Sequence, residues 1–215
     1  MKIKNAIIFG DSYSTFEGYI PEGYYVYYSD SDQSDTDVRK VTQTWWHQVM
    51  SATGATLVQN NSWSGSPIGY TCYENSDCSE SSSFIYRFNC LAQSGFFRTN
   101  DIDTVFVFGG TNDNWCGAPL GQIKYSDWQK EDLYSVLPAI TYFLKRVKEE
   151  LPEASIICII NTELKDEVTE CFIDACRHFG AHALRLENID KACGHPTIKG
   201  MSEISRQVLE FIDRN

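Results

Sequence analysis

The 215-residue sequence predicts a three-layer α/β/α sandwich on a parallel sheet, and three observations carry that expectation. Runs with strand character recur at wide spacing. They are apolar and β-branched almost throughout rather than alternating, which marks burial on both faces. Helical patterns fall between most of them, as a parallel sheet requires of its crossovers.

Taken in order, Lys2 to Phe9 is the first expected strand, and Trp45, Trp46, Val49 and Met50 suggest a helix after it. Thr56 to Asn60 is the second strand and Thr104 to Phe108 (TVFVF) the third. Leu133, Val136, Leu137, Ile140, Leu144, Val147 and Leu151 form a long helical stripe, within which Pro138 must mark a kink or the true start. Ser155 to Ile160 (SIICII) is the fourth strand. Val168, Cys171, Phe172, Ala175, Cys176 and Phe179 repeat at helical spacing, with Gly180 as the stop. His182 to Leu186 is the fifth strand, and Met201, Ile204, Val208, Phe211 and Ile212 line the last helix. Two stretches break the alternation. Residues 18–42 hold several tyrosines and an acidic, serine-rich run (SDSDQSDTD) that reads as a solvated loop. Residues 66–100 form a long polar excursion above the sheet, with one helix around Phe84 to Ala92; loops of that length are usually functional or disordered.

Composition narrows the function. At 42% hydrophobic and 22% charged residues, the chain supports one domain over residues 1–215. Lys plus Arg number 18 against 29 Asp plus Glu, a net charge of −11, so nucleic acid and anionic membranes are poor partners. No apolar run approaches the ~20 residues of a membrane span. The segment MKIKNAIIFGDS reads as a strand rather than a signal peptide, so a cytoplasmic location is expected. The eight cysteines lack zinc-ligand spacing, and no metal is expected. Cys158, Cys171 and Cys176 sit at apolar positions and read as small buried hydrophobes. Cys72 and Cys78 share a loop and would be the pair to bridge in an oxidising compartment.

The chemistry concentrates in polar clusters directly after strands: Gly10-Asp11-Ser12, Asn60-Asn61-Ser62-Trp63-Ser64-Gly65 and Gly109-Gly110-Thr111-Asn112-Asp113. Gly194-His195-Pro196-Thr197 precedes the last helix. In a parallel sheet these loops emerge on one edge, where ligands bind. Each cluster alone is explained by a cap or a tight turn, but together they supply the parts for acyl transfer. Ser12 is the nucleophile and needs a base. Of the four histidines, His47 and His178 belong to helices and His182 opens a strand, which leaves His195. Oxyanion donors are at hand in the Gly65 backbone N–H, the Asn112 side-chain amide and, in a helix-like turn, the Ser12 N–H. Asp11, Trp63, Asp113 and Trp115 accompany the clusters and are candidates for lining a substrate pocket.

These blocks resemble those of the SGNH/GDSL hydrolases, in order and spacing from residue 8 to residue 196. The first is Ile8-Phe9-Gly10-Asp11-Ser12, followed by Tyr13 where that family often has Leu; the fifth is matched in part by Gly194-His195-Pro196. The resemblance implies a flavodoxin-like, five-stranded sheet and a metal-free, cofactor-free esterase. It also implies Ser12 as nucleophile, His195 as base, and Ser12, Gly65 and Asn112 as oxyanion hole. One departure stands out. The family usually carries Asp three residues before its histidine, and Ala192 occupies that place here. Asp190 is the nearest upstream carboxylate and the expected third member, with a backbone carbonyl as the alternative.

Small acyl esters, including acetyl groups on carbohydrate, suit the polar, aromatic-rich rim better than long-chain lipids. Two other readings are open. A flavin or phosphate binder would use Ser12, Ser14 and Thr15, but Asp11 sits where a phosphate would go. An inactive carbohydrate-binding module would use Tyr24, Tyr25, Tyr27, Tyr28, Trp63, Trp115 and Trp128 as stacking surfaces. Arg87 and Arg98 read as solvent-exposed rather than as contacts for an anionic substrate. Oligomeric state is not legible.

Overall fold

A computed structural model describes residues 1–31 and 34–215. Five parallel strands run in the order β2-β1-β3-β4-β5: β1 Asn5–Gly10, β2 Thr56–Ser62, β3 Thr104–Phe108, β4 Ser155–Ile160 and β5 His182–Arg185. Alternate residues of each strand enter different layers. Ile7, Phe9, Val105, Val107, Ile156, Cys158 and Ile160 pack with α2 (Phe84–Gln93), α5 (Val136–Glu150) and α6 (Asp166–Phe179). Ala6, Ile8, Phe106, Phe108, Ile157 and Ile159 face the opposite layer, α1 (Trp45–Thr53) and α7 (Ile198–Arg214). Both sheet faces are dry, which is why the strands read as continuous apolar runs. This is the expected three-layer α/β/α sandwich. Among the described residues no helix is long and apolar enough to cross a membrane.

β3 and β4 have the expected limits, whereas β1 starts at Asn5 and β2 runs on to Ser62, carrying three buried polar residues, Asn60, Asn61 and Ser62, into the sheet edge. Pro138 is the third residue of α5, within the first turn, where backbone N–H groups have no intrahelical partner and its missing donor costs nothing. Leu133 lies outside that helix, in a separate turn at Lys130–Tyr134. The excursion at 66–100 holds α2 and the short α3 (Phe96–Thr99). Of the acidic run, Asp32 and Gln33 lie outside the described residues. Cys158, Cys171 and Cys176 are buried as expected, and Cys72 and Cys78 are both free thiols.

The ladder brings the polar clusters level. Gly10 pairs with Ser62 of β2 and with Phe108 of β3, so the three strands end side by side and their following loops start from one line. Gly10 itself is forced by crowding: a Cβ there would come 2.5 Å from Ser62 Oγ and 2.7 Å from Ser14 Cβ.

Arg87 corrects the expectation of a solvent-exposed side chain, being only 1% exposed. Its guanidinium crosses beneath the loops. Nε donates to Ser82 O (2.8 Å), one terminal nitrogen to the carbonyl and side-chain oxygens of Asn61, and the other to Gly10 O (3.2 Å) and Ser66 Oγ (3.1 Å). Burial lowers its pKa to about 10, which still leaves it charged at neutral pH. One planar fork thus ties the ends of β1 and β2 to the loop beyond them. Arg87→Leu is expected to lower unfolding free energy by about 3 kcal/mol in urea titration, because several buried acceptors lose their donor together. A loss below about 1 kcal/mol would mean that water replaces the guanidinium.

Candidate active site

Ser12 follows β1 in a single tight turn, Ser12–Ser14, capped by Asp11, whose Oδ1 accepts from Tyr13 N–H at 3.0 Å. Its hydroxyl stands 2.9 Å from His195 Nε2. The histidine arrives on a feature that the sequence reading did not foresee, a miniature hairpin pairing β6 (Lys191–Ala192) with β7 (His195–Pro196). Its two-residue turn has both members left-handed, Cys193 at φ +48° and Gly194 at φ +76°. Such turns suit the twist of a hairpin but strain any residue with a Cβ, so Cys193 is held there by its surroundings. The turn aims the Cys193 carbonyl back at the imidazole, 3.1 Å from Nδ1. A carbonyl can only accept. Nδ1 therefore carries the proton, and Nε2 offers its lone pair to the Ser12 hydroxyl.

Asp190, the expected third member, is not brought to the imidazole. Its Oδ2 accepts from Thr197 Oγ1 at 2.5 Å, its Oδ1 lies 3.8 Å from Lys199 Nζ, and its backbone carbonyl accepts from Thr197 N–H at 3.2 Å. Thr197 in turn caps α7 by accepting from Gly200 N–H. The carboxylate is thus committed to the start of the last helix, and the carbonyl alternative is the one that the geometry realises. Two tyrosines grip the hairpin on either side of His195. Tyr13 Oη donates to Gly194 O at 2.5 Å and Tyr28 Oη to Pro196 O at 3.0 Å.

The loops that carry the three expected oxyanion donors are tied together by hydrogen bonds. Trp63 N–H donates to Gly10 O at 3.1 Å, which folds the Gly65 loop over the Ser12 turn. Asn112 is the second residue of α4 (Thr111–Trp115), and its Nδ2 donates to Ser66 O at 3.1 Å, beside Gly65. Tyr73 Oη donates to Asn112 Oδ1 at 2.9 Å, which fixes the amide orientation and leaves one Nδ2 hydrogen for a ligand. Among the described residues, no acceptor takes the N–H of Ser12 or of Gly65.

Two of the four pocket candidates are corrected. Asp11 is 0% exposed and Asp113 1%, so neither lines a pocket. Asp113 accepts from the N–H groups of Ile68 and Gly69 and pins the start of the excursion, and burial raises its pKa to about 6. Burial likewise raises Asp11 to about 7, against the opposing Tyr13 N–H bond. Trp63 and Trp115 do reach the surface: Trp63 is half-buried, its ring tilted 36° against that of Tyr24 with centroids 4.3 Å apart, and Trp115 is 39% exposed with its ring 6.0 Å from that of His195. Among the described residues, no group of three or more His, Cys, Asp or Glu side chains could hold a metal ion.

The geometry is that of a three-layer α/β protein with a serine–histidine pair at the carboxyl edge of its sheet. The pattern of the GDSL-like lipase/acylhydrolase family matches residues 4–212. A protein from Bacteroides uniformis described as a GDSL-like lipase is 42% identical, with a TM-score of 0.91 over 99% of this chain and 97% of that one. One from Bacteroides ovatus with the same description is 40% identical, with a TM-score of 0.90 over the whole of both chains. A family two carbohydrate esterase from Clostridium thermocellum, solved with cellohexaose, shares the fold at a TM-score of 0.67 and 15% identity, over 100% of this chain and 65% of that one. No curated protein matches the chain. This chain belongs to the GDSL-like lipase/acylhydrolase family and is a hydrolase of ester bonds.

The position of Asp190 generates a sharp expectation. In a serine triad, amidating the carboxylate costs about 10⁴ in kcat. Asp190→Asn should instead retain kcat within about threefold, since Thr197 and not His195 is its partner. A loss of several orders of magnitude in a folded Asp190→Asn enzyme would return the carboxylate to the base.

Proposed function

We propose that the protein is a serine esterase that removes small acyl groups, acetyl foremost, from carbohydrate, through a Ser12–His195 dyad. The observation that carries the proposal is the 2.9 Å contact between Ser12 Oγ and His195 Nε2, with the Cys193 carbonyl on the far nitrogen. His195 Nε2 takes the hydroxyl proton as Ser12 attacks the ester carbonyl. The oxyanion that forms is met by the N–H groups of Ser12 and Gly65 and by Asn112 Nδ2, donors fixed before the reaction begins. Imidazolium then protonates the leaving alcohol. Water, activated by the same nitrogen, releases the acyl group and restores Ser12.

The surface around the pair supports the choice of substrate. Tyr25 is 72% exposed and meets the half-buried Trp63 edge-on, while Tyr73 (43%) and Trp115 (39%) stand on the α4 side. Rings that present an apolar face with polar groups nearby suit the faces of sugar rings. The fold shared with carbohydrate esterases agrees with that choice. A flavin or phosphate site is disfavoured by Asp11, whose buried carboxyl group occupies the turn after β1.

Ser12→Ala should lower kcat on short p-nitrophenyl esters by several orders of magnitude, and Asn112→Ala by about 10²–10³ with little change in KM, since the oxyanion exists only near the transition state. Acetylated oligosaccharides should be turned over with higher kcat/KM than C8 or longer acyl esters. Full turnover by a folded Ser12→Ala enzyme would refute the proposal, and a preference for long chains would refute its substrate.

The pH dependence follows from His195. Burial lowers its pKa below 6.5, opposed by the Cys193 carbonyl and assisted by the Lys191 charge. The base must be neutral in the free enzyme, so the acid limb of kcat/KM, falling about tenfold per unit, should have its midpoint below the ordinary histidine value of 6.5. An acid limb centred above 6.5 would contradict this.

A further inference from the structure

Aromatic rings surround the His195 imidazole. Tyr27 lies flat on it, with centroids 3.6 Å apart and planes 9° from parallel. Tyr13, Trp115 and Tyr28 meet it closer to edge-on, at 5.4, 6.0 and 6.5 Å. Two neutral rings gain little from a face-to-face sandwich, because their quadrupoles oppose one another. A cation over an aromatic face is attracted by that same quadrupole. The stack therefore discriminates between the two states of the base, favouring imidazolium over imidazole.

This matters because His195 lacks the carboxylate that ordinarily balances its charge. Its Nδ1 partner is a neutral carbonyl, and the nearby Lys191 ammonium works against a second positive charge. The other titratable groups around it, the phenols of Tyr13, Tyr27 and Tyr28, are all pushed upward first by burial and remain neutral where histidine titrates. Tyr27 is also fixed to the reacting groups. Its N–H donates to Thr15 Oγ1 at 2.9 Å, and Thr15 Oγ1 donates to Ser12 O at 3.1 Å, while the adjacent Tyr28 holds Pro196 O. The ring is anchored at once to the turn of the nucleophile and the hairpin of the base. The Tyr27 hydroxyl points elsewhere, toward Asp35 O at 3.4 Å, so the face of the ring is the functional part.

We propose that Tyr27 is a positioning residue that stabilises the His195 imidazolium by face-on stacking, in compensation for the missing carboxylate. This rests on the reading of Ser12 and His195 as nucleophile and base, and it gives Tyr27, which the sequence offered only as a surface for stacking on sugars, a role toward the base.

Three variants and two readouts test it. Tyr27→Phe keeps the face and should hold kcat within about twofold. Tyr27→Leu, or Tyr27→Met should the leucine variant not fold, fills the space without a π-system. It should lower kcat about tenfold with KM little changed. The second readout needs no turnover. The His195 ring titration, followed by NMR, should shift down by about 0.5–1 pH unit in the leucine or methionine variant and stay put in the phenylalanine variant. A ring-less variant with the wild-type midpoint and kcat would overturn the proposal, as would a phenylalanine variant as impaired as leucine. Ser12→Ala with undiminished turnover would overturn the dyad instead, while the NMR titration would still report on the stack.

Discussion

The hydrogen bond between His195 Nδ1 and the Cys193 carbonyl is the constraint on which the sheet edge is organised. It sets the tautomer, and the tautomer determines that Nε2 accepts from Ser12 rather than competing with it as a donor. The bond spans only two residues along the chain, so its geometry is set by the hairpin turn and not by a distant side chain. That explains why Cys193 tolerates φ +48°, and why Tyr13 and Tyr28 both spend their hydroxyls on carbonyls of the same hairpin. A carbonyl contributes less than a carboxylate to a developing imidazolium, because it carries only a partial charge. The aromatic surround of His195 makes sense in that light: a half-buried base with a neutral acceptor needs another source of electron density.

Beneath this edge lies an unusual concentration of buried polarity. Arg87, Asp11 and Asp113 are all sealed from water, and each bonds backbone groups: Arg87 the carbonyls of Gly10, Asn61 and Ser82, Asp11 the Tyr13 N–H through Oδ1 alone, and Asp113 the N–H groups of Ile68 and Gly69. The loops directly after β1 and β2 have only a few turn bonds of their own, and the excursion that follows is regular only within α2 and α3. Buried ionisable side chains reaching through the interior supply further partners. The desolvation penalty is visible in the raised pKa of both acids, near 7 and near 6. Loops held in this way are rigid without being regular, which is what an oxyanion hole built from loop N–H groups requires.

Much of this was legible in the sequence because it is periodic or local. Strands buried on both faces announce themselves as apolar runs, and the limits of β3 and β4 follow directly from TVFVF and SIICII. Clusters at strand ends located Ser12, Gly65, Asn112 and His195 on one edge. What was not legible depends on long-range pairing. Nothing in Lys191-Ala192-Cys193-Gly194 signals a two-residue hairpin turn, since Cys is not a residue that seeks a left-handed conformation. Without that turn, Asp190 looked free to reach the imidazole, whereas its partner is Thr197 at the cap of α7. Asp11 and Asp113 resembled pocket residues because carboxylates seldom sit in a dry interior, and Arg87 looked exposed for the same reason. Tyr27 lies in a tyrosine-rich loop whose individual roles only the folded contacts distinguish.

The tautomer of His195 is the point at which the account can be tested most directly. Long-range ¹H–¹⁵N correlation of the imidazole, recorded in the wild-type protein above the His195 titration, assigns which ring nitrogen bears the proton. The carbonyl-supported arrangement gives a protonated Nδ1 and a bare Nε2, and the same pattern in Asp190→Asn. A proton on Nε2, or a tautomer that changes when Asp190 is amidated, would contradict it.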